Sequence, residues 1–331
     1  MARPPGSSRD EVVAWLLAGD SAVRHQTLRD LLHADAEAEE LRGAIATDGD
    51  AAVLLAARQP SGHWGRGFYQ PKWTSSHYTL LELRRLELPG THPAARATVD
   101  LVLEEKSRDG GVNPIGSVKV SDVCVNGMFL DYAGWFGAPE ADLVSVVDFV
   151  LGEQMADGGF NCRSNRSGAR TSSVHTTLSV VEGFTTCLAS GVGHRSGELR
   201  EARDRAVECL LARELFRVRG TRTPIRPELT RLHHPTRWYF DVLRALDALR
   251  EAGVARDPRM DAALDVVLGR RHPDGRWAAA RGYPGQTHLA YPRAGEPNRW
   301  VTLRALRVLD AYPRPDADPR PDADPRPDRP V

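Results

Sequence analysis

Four glycine turns punctuate the chain: P-S-G-H-W-G from Pro60, R-D-G-G-V-N from Arg108, A-D-G-G-F-N from Ala156 and P-D-G-R-W from Pro273. Gly62, Gly110 and Gly158 lie 48 residues apart. A fixed period of that length marks a repeat fold, in which one helical unit cannot bury its apolar face alone and must stack on its neighbours. Gly275 falls outside the period, with longer loops between.

An amphipathic helix leads into each turn and a more apolar helix follows it. The first members run about 10–18, 37–57, 93–106, 139–155, 197–216 and 258–270. The second members run about 21–33, 75–87, 121–136, 172–190, 236–252 and 298–311. The second set carries apolar residues on more of its circumference, as in T-L-L-E-L, L-S-V-V-E-G-F and T-L-R-A-L, and so forms an inner layer covered by the first. An open stack of such pairs leaves apolar end faces, whereas a closed ring does not. The fold expected is all-α, an (α/α)6 toroid over residues 1–312. Inner helices that open on Ser, Thr or Asn gather their N-termini at one end, with free N–H groups around a shared cavity.

Lys plus Arg equals Asp plus Glu at 44 each, which offers no general pull toward nucleic acid or an anionic membrane. No run approaches the roughly 18 apolar residues of a membrane span, and the N-terminus lacks a secretion signal's apolar core; the expectation is a soluble, cytoplasmic protein. Cys124, Cys162, Cys187 and Cys209 show no C-x-x-C spacing and read as thiols. From 313 to 331 the chain repeats P-R-P-D-A-D, a composition that cannot offset chain entropy and reads as a disordered tail.

The S-G-H-W, D-G-G-F and D-G-R-W turns resemble the repeat of the terpenoid cyclase and protein prenyltransferase superfamily, over about residues 10–311. That resemblance implies an α/α toroid. It is similar locally to the zinc site of protein prenyltransferase β subunits: Asp122-Val123-Cys124 opens one inner helix and His175-Thr176-Thr177-Leu178 opens the next. Residues two apart on a regular helix point about 200° away from each other; at a helix start, an extended Asp122 can turn toward the same space as Cys124. Asp122, Cys124 and His175 are thus the expected catalytic and metal residues. Such O, S and N donors suit zinc with a fourth place open. Plainer roles compete: Asp122 as a helix cap, Cys124 as a core residue, His175 as a hydrogen-bonded interior imidazole. Val120-Ser121-Asp122 also resembles the V-S-D-C segment of oxidosqualene cyclases, where the Asp is a proton donor, though Val123 intervenes here; neither D-x-D-D nor D-D-x-x-D occurs.

Around these residues, His77, Tyr78, Trp238, Tyr239 and Trp300 are expected to line an apolar, aromatic cavity, and Trp64 to be structural. His233 or His234 could supply a fourth ligand. Arg163, Arg166, Arg170, Arg237 and Arg299 stand at the same end and could hold a diphosphate, with 161–171 as a flap. The implied function is a zinc enzyme acting on an isoprenoid or other small hydrophobic substrate. Alternatives are a metal-free cyclase or isomerase with Asp122 as general acid, and a non-catalytic binding scaffold. A protein prenyltransferase also needs an α subunit as partner, which nothing in the chain identifies.

Overall fold

Each glycine turn is closed in the same way in the computed structural model, which describes residues 8–114, 119–163 and 167–313. The N–H groups of Gly62, Gly110, Gly158 and Gly275 donate to the carbonyls of Gln59, Ser107, Met155 and His272 at 2.9–3.0 Å. Their φ angles of 86, 93, 85 and 78° lie where a side chain rarely goes. An apolar residue just beyond each glycine then donates its N–H to a side chain of the next inner helix. Trp64 gives to Ser76 Oγ, Val112 to Asn126 Oδ1, Phe160 to Thr177 Oγ1 and Trp277 to Thr302 Oγ1, at 2.7–3.0 Å. Gly275 therefore keeps the turn although it breaks the period. Trp64 is structural as expected: fully buried, it donates Nε1–H to the Leu54 carbonyl, and Trp277 does the same to Val267.

These turns join outer to inner helices. Among the described residues the outer layer is α1 (Arg9–Leu17), α3 (Asp35–Arg42) with α4 (Gly49–Ala56), α6 (Pro93–Leu103), α8 (Glu140–Gly152), α10 (Ser196–Leu211) and α12 (Asp261–Gly269). The inner layer is α2 (Ser21–Leu32), α5 (Ser76–Arg85), α7 (Val123–Trp135), α9 (Val174–Ala189), α11 (Val242–Glu251) and α13 (Arg299–Ala311). The chain is all-α; among the described residues β structure is limited to isolated bridges, and no helix is long and apolar enough to cross a membrane.

Two elements differ from their sequence pattern. The helix expected over 37–57 is broken by a 3-10 turn at Gly43–Ala46 and by Asp48, whose carboxylate accepts the N–H and hydroxyl of Ser21 at 2.9 and 2.8 Å. The inner helix expected from 236 starts at Val242, because Asp241 caps it: one carboxylate oxygen accepts the Arg244 N–H at 2.9 Å and the other the His233 N–H at 3.2 Å. Trp238 and Tyr239 accordingly belong to the loop before α11. The tail expected over 313–331 lies outside the described residues beyond Pro313.

The ring closes through charge. Arg307 on α13 donates to Asp30 and Gln26 on α2 at 2.8 and 2.9 Å. Gln26 donates to the Arg85 carbonyl at the end of α5 (3.0 Å), and Arg84 on α5 to Asp131 on α7 (3.1 Å). Asp131 also accepts from Thr186 on α9 (2.6 Å), Arg244 on α11 reaches Glu182 on α9 (2.9 Å), and Arg307 returns to Asp247 on α11 (2.8 Å). Side-chain bonds thus run around all the inner helices without a gap. On the outside, Arg9 of α1 pairs with Asp310 of α13 at 2.5 Å.

Helices α7 and α9 approach most intimately. A Cβ on Gly127 would stand 2.8 Å from the backbone of Ser179, and one on Gly183 would collide with the Gly127 carbonyl oxygen. Alanine for glycine in a helix interior gains about 1 kcal/mol of propensity, whereas forced overpacking costs about 1–3 kcal/mol; the clash wins here because the neighbour is backbone. Gly183→Ala is expected to lower the melting temperature and Gly183→Val to lower it further. Gly43→Ala, with open space around it, leaves it unchanged or slightly raised; thermal unfolding followed by circular dichroism compares the three.

Candidate active site

Two cavities occupy the ring. Loop 234–240 lines both, His234–Arg237 one and Trp238–Phe240 the other. The larger, about 750 Å³, lies at the N-terminal ends of α7 and α9 and is walled by Asp122, Cys124 and His175 together. The three residues singled out by their sequence positions therefore share one hollow.

Each arrives there for a local reason. Asp122 is the N-cap residue of α7, extended at φ −78° and ψ 120°, and its side chain makes no capping hydrogen bond. It lines the pocket instead of closing the helix end. Cys124 sits in the first turn. His175, second residue of α9, accepts the Phe240 N–H on Nδ1 at 2.8 Å, which leaves the hydrogen on Nε2. Burial, then the charges of Arg244 and Arg226, push the His175 pKa down to about 4, so the ring is a neutral donor near pH 7. The same loop is anchored again where Arg244 donates to the Tyr239 carbonyl at 2.8 Å.

The structure adds a residue that the sequence reading did not single out. The Cys124 N–H donates to Cys162 Sγ at 3.1 Å, so sulfur takes the place of a cap on α7, and Thr176 Oγ1 lies 3.5 Å from the same sulfur. Hydrogen bonding from the Cys124 side chain, then from Thr176, holds the Cys162 thiol below its usual range, while Asp122 acts against this. Cys124 is driven well up by its bond to Cys162, by burial and by the Asp122 charge. Of the pair, Cys162 is the one whose thiolate form is favoured, as expected for sulfur at a helix N-terminus. The available clue was its place two residues after the D-G-G-F turn, at the mouth of the ring.

These donors do not form a ligand set for zinc. Among the described residues no group of three or more His, Cys, Asp or Glu is arranged to hold a metal ion. His175 Nδ1 is engaged by Phe240, and the Cys124 thiol is bonded to Cys162. No step is therefore derived through a metal.

Part of the lining is aromatic, and the His175 ring meets Trp238 edge-on at 5.2 Å between centroids. Trp238 stacks on Tyr239 with ring centroids 4.1 Å apart, and Tyr239 on Tyr283 at 3.7 Å. Lys72 Nζ stands 5.2 Å from the Trp238 ring, its pKa lowered first by burial. Trp238 and Tyr239 thus line the pocket as expected, though from a loop.

The remaining candidates are placed elsewhere. His77 is fully buried among Phe68, Tyr69, Tyr78 and Tyr132 and lines neither cavity; burial pushes its pKa down to about 3. Tyr78 and Trp300 line the smaller cavity, and the Tyr78 hydroxyl meets that of Tyr69, which lines the larger, at 3.0 Å. Arg299 donates to the Trp15 carbonyl at 3.2 Å and covers that ring, so it serves the ring seam. Arg237 is paired with Glu82 at 2.7 Å. Arg163 lines the larger pocket, joined there by Arg213 and Arg226, while Arg170 is exposed outside it. Arg166 lies outside the described residues. The arginines expected to hold a diphosphate are thus dispersed. His233 stacks on Tyr283 and His234 on Trp300, and neither lines the pocket that holds Asp122.

No protein-family model matches the chain, and no curated protein does. Among solved structures, a protein from Actinoplanes is similar at 16% identity over 88% of each chain, with a TM-score of 0.47. The type II terpene cyclase MstE from Scytonema is similar at 15% identity over 93% of this chain and 90% of its own, with a TM-score of 0.45. A variant of that cyclase in complex with geranylgeranyl dihydroxybenzoate is similar at 15% identity over 87% of this chain and 85% of its own, with a TM-score of 0.41. At TM-scores below 0.5 these are distant likenesses, and the reading of the pocket rests on this chain's own residues.

The thiol pair supplies a direct check. Iodoacetamide at pH 7 is expected to alkylate Cys162 ahead of Cys124, Cys187 and Cys209, the order being read by peptide mass mapping over time. Asp122→Asn removes a negative charge that raises both pocket thiols, so the half-point of alkylation against pH moves down; a half-point that rises or stays put contradicts the geometry.

Proposed function

We propose that the chain is an enzyme of the terpenoid cyclase type that isomerises or cyclises a small hydrophobic, isoprenoid-like molecule in the larger pocket, with Asp122 as the general acid. The observation that carries this reading is the polarity of the pocket. Asp122 lines it together with the stacked rings of Trp238, Tyr239 and Tyr283. Its volume of about 750 Å³ falls in the range of small-molecule sites.

The chemistry follows from that lining. In its protonated form the Asp122 carboxyl gives its proton to a substrate double bond, and the cation that forms is stabilised by aromatic rings whose faces attract positive charge. The electron pair of a C–H bond next to the cation closes a double bond as its proton passes to the Asp122 carboxylate, which restores the acid and ends the reaction with the same atoms it began with, as isomerisation or ring closure. The neutral His175 Nε2–H is a donor that does not compete as a base near pH 7.

The test uses farnesol, geranylgeraniol and their diphosphates in deuterated water, with products analysed by mass spectrometry. Deuterium is expected in product from the wild-type protein. Asp122→Asn is expected to reduce turnover by about 10²–10⁴-fold, the usual contribution of a positioned acid, while ligand still quenches tryptophan fluorescence. Unchanged turnover in Asp122→Asn ends the acid reading. One zinc per chain, lost in both Cys124→Ala and His175→Ala, replaces it with the metal reading. Ligand binding with no product from any substrate leaves the scaffold reading in its place.

A further inference from the structure

The smaller cavity, about 360 Å³, is lined by eight arginines and seven carboxylates. Most of these charges satisfy one another. Arg29 meets Glu87 at 2.9 Å, Arg84 meets Asp131 at 3.1 Å and Arg237 meets Glu82 at 2.7 Å. Arg244 holds Glu182, Arg250 holds Asp247 at 3.1 Å, and Arg307 bridges Asp30 and Asp247.

Two guanidiniums are left over. Arg85 donates one nitrogen to the Thr236 hydroxyl, and also, at 3.4 Å, to the Arg237 carbonyl. Its Nη2 is buried without an acceptor; the nearest carboxylate, Glu182, is 3.8 Å away and already taken by Arg244. Arg304 donates only to backbone, to the Trp300 carbonyl at 3.3 Å and the His233 carbonyl at 2.8 Å. Burial, then the neighbouring Arg244, pushes the Arg85 pKa down to about 10, and burial also lowers that of Arg304. Both shifts have the sign of a half-buried cation short of negative charge. A buried charge without a counter-ion is costly, and a guanidinium fork suits an oxyanion. Beside these cations the wall is apolar and aromatic, with Trp300, Tyr78 and Leu81.

We propose that this cavity is a binding site for a small organic anion, its carboxylate or phosphate group held by Arg85 and Arg304 and its body seated against Trp300 and Tyr78. The site is separate from the pocket of Asp122, and its failure would leave the acid reading untouched.

Calorimetric titration of the full chain, at constant ionic strength in chloride, compares phenyl phosphate, benzoate, inorganic phosphate and benzyl alcohol. Saturable binding of phenyl phosphate or of benzoate, but not of benzyl alcohol, is expected; the tighter of the two anions identifies the head group as phosphate ester or carboxylate. Arg85→Met and Arg304→Met are each expected to weaken it at least about tenfold, the loss of a charge-assisted hydrogen bond, whereas the surface variant Arg42→Met leaves it unchanged. Without anion, Arg85→Met melts no lower than wild type, because it removes a cation that has no carboxylate of its own. Should one variant fail to fold, the other gives the reading. The proposal is overturned by no saturable binding of either organic anion, by equal binding of inorganic and phenyl phosphate, or by unchanged affinity in the arginine variants.

Discussion

The fold turns on the chain of buried charge that runs from one inner helix to the next. Arg307 reaches both α2 and α11, Arg84 and Thr186 meet on Asp131, and Arg244 reaches from α11 to Glu182 on α9. Hydrophobic contact alone is non-directional and would let neighbouring helices slide. A guanidinium taken out of water must find its acceptor, so each contact selects one register. Such pairs are weak contributors to net stability, because desolvation offsets attraction; their effect is that the ring joins end to end in one way. The hollow at its centre is consequently charged, and the aromatic, more apolar pocket expected there is found at the N-terminal ends of α7 and α9.

That displacement explains how the pocket acquires its chemistry. Most charged side chains deep in the ring are engaged with one another, whereas the starts of α7 and α9 are not capped by the side chains of their N-cap residues. At α7 the Cys162 sulfur accepts the Cys124 N–H, and at α9 the Thr177 hydroxyl accepts the Phe160 N–H and donates to the Phe160 carbonyl. The D-G-G-F turn thus carries out two tasks, ending an outer helix and delivering a thiol to the helix start beside it. Loop 238–240 supplies the aromatic part of the lining and is tied to α9 through His175 and to α11 through Arg244.

Much of this architecture was legible in the residues. Gly62, Gly110 and Gly158 announce their turns because only that conformation closes them, and the alternation of outer and inner helices follows from apolar spacing. Asp122, Cys124 and His175 stand at helix starts in the sequence, and they line one pocket. What escaped has identifiable causes. In T-L-R-A-L-R the apolar pattern speaks for burial but not for arginines on the buried side, since their acceptors lie on other helices. Phe240 takes the His175 nitrogen from 65 residues away, which no local spacing reveals. Asp241 was hidden inside a helical pattern that it terminates. Arg299 and His77 stand at helix starts like the pocket residues, yet one faces α1 and the other a cluster of rings, a difference of helix rotation that sequence position does not specify.

The meeting of Gly127 with Gly183 bears on how such a pocket could be altered. Where two backbones touch with no side chain between them, there is no intermediate material to trim or enlarge, so the α7–α9 edge behaves as a fixed jamb. Selectivity for larger or smaller guests has to be adjusted on the hinge side, through Trp238, Tyr239 and Tyr283, where replacing a ring changes the opening without moving the helices that carry the acid.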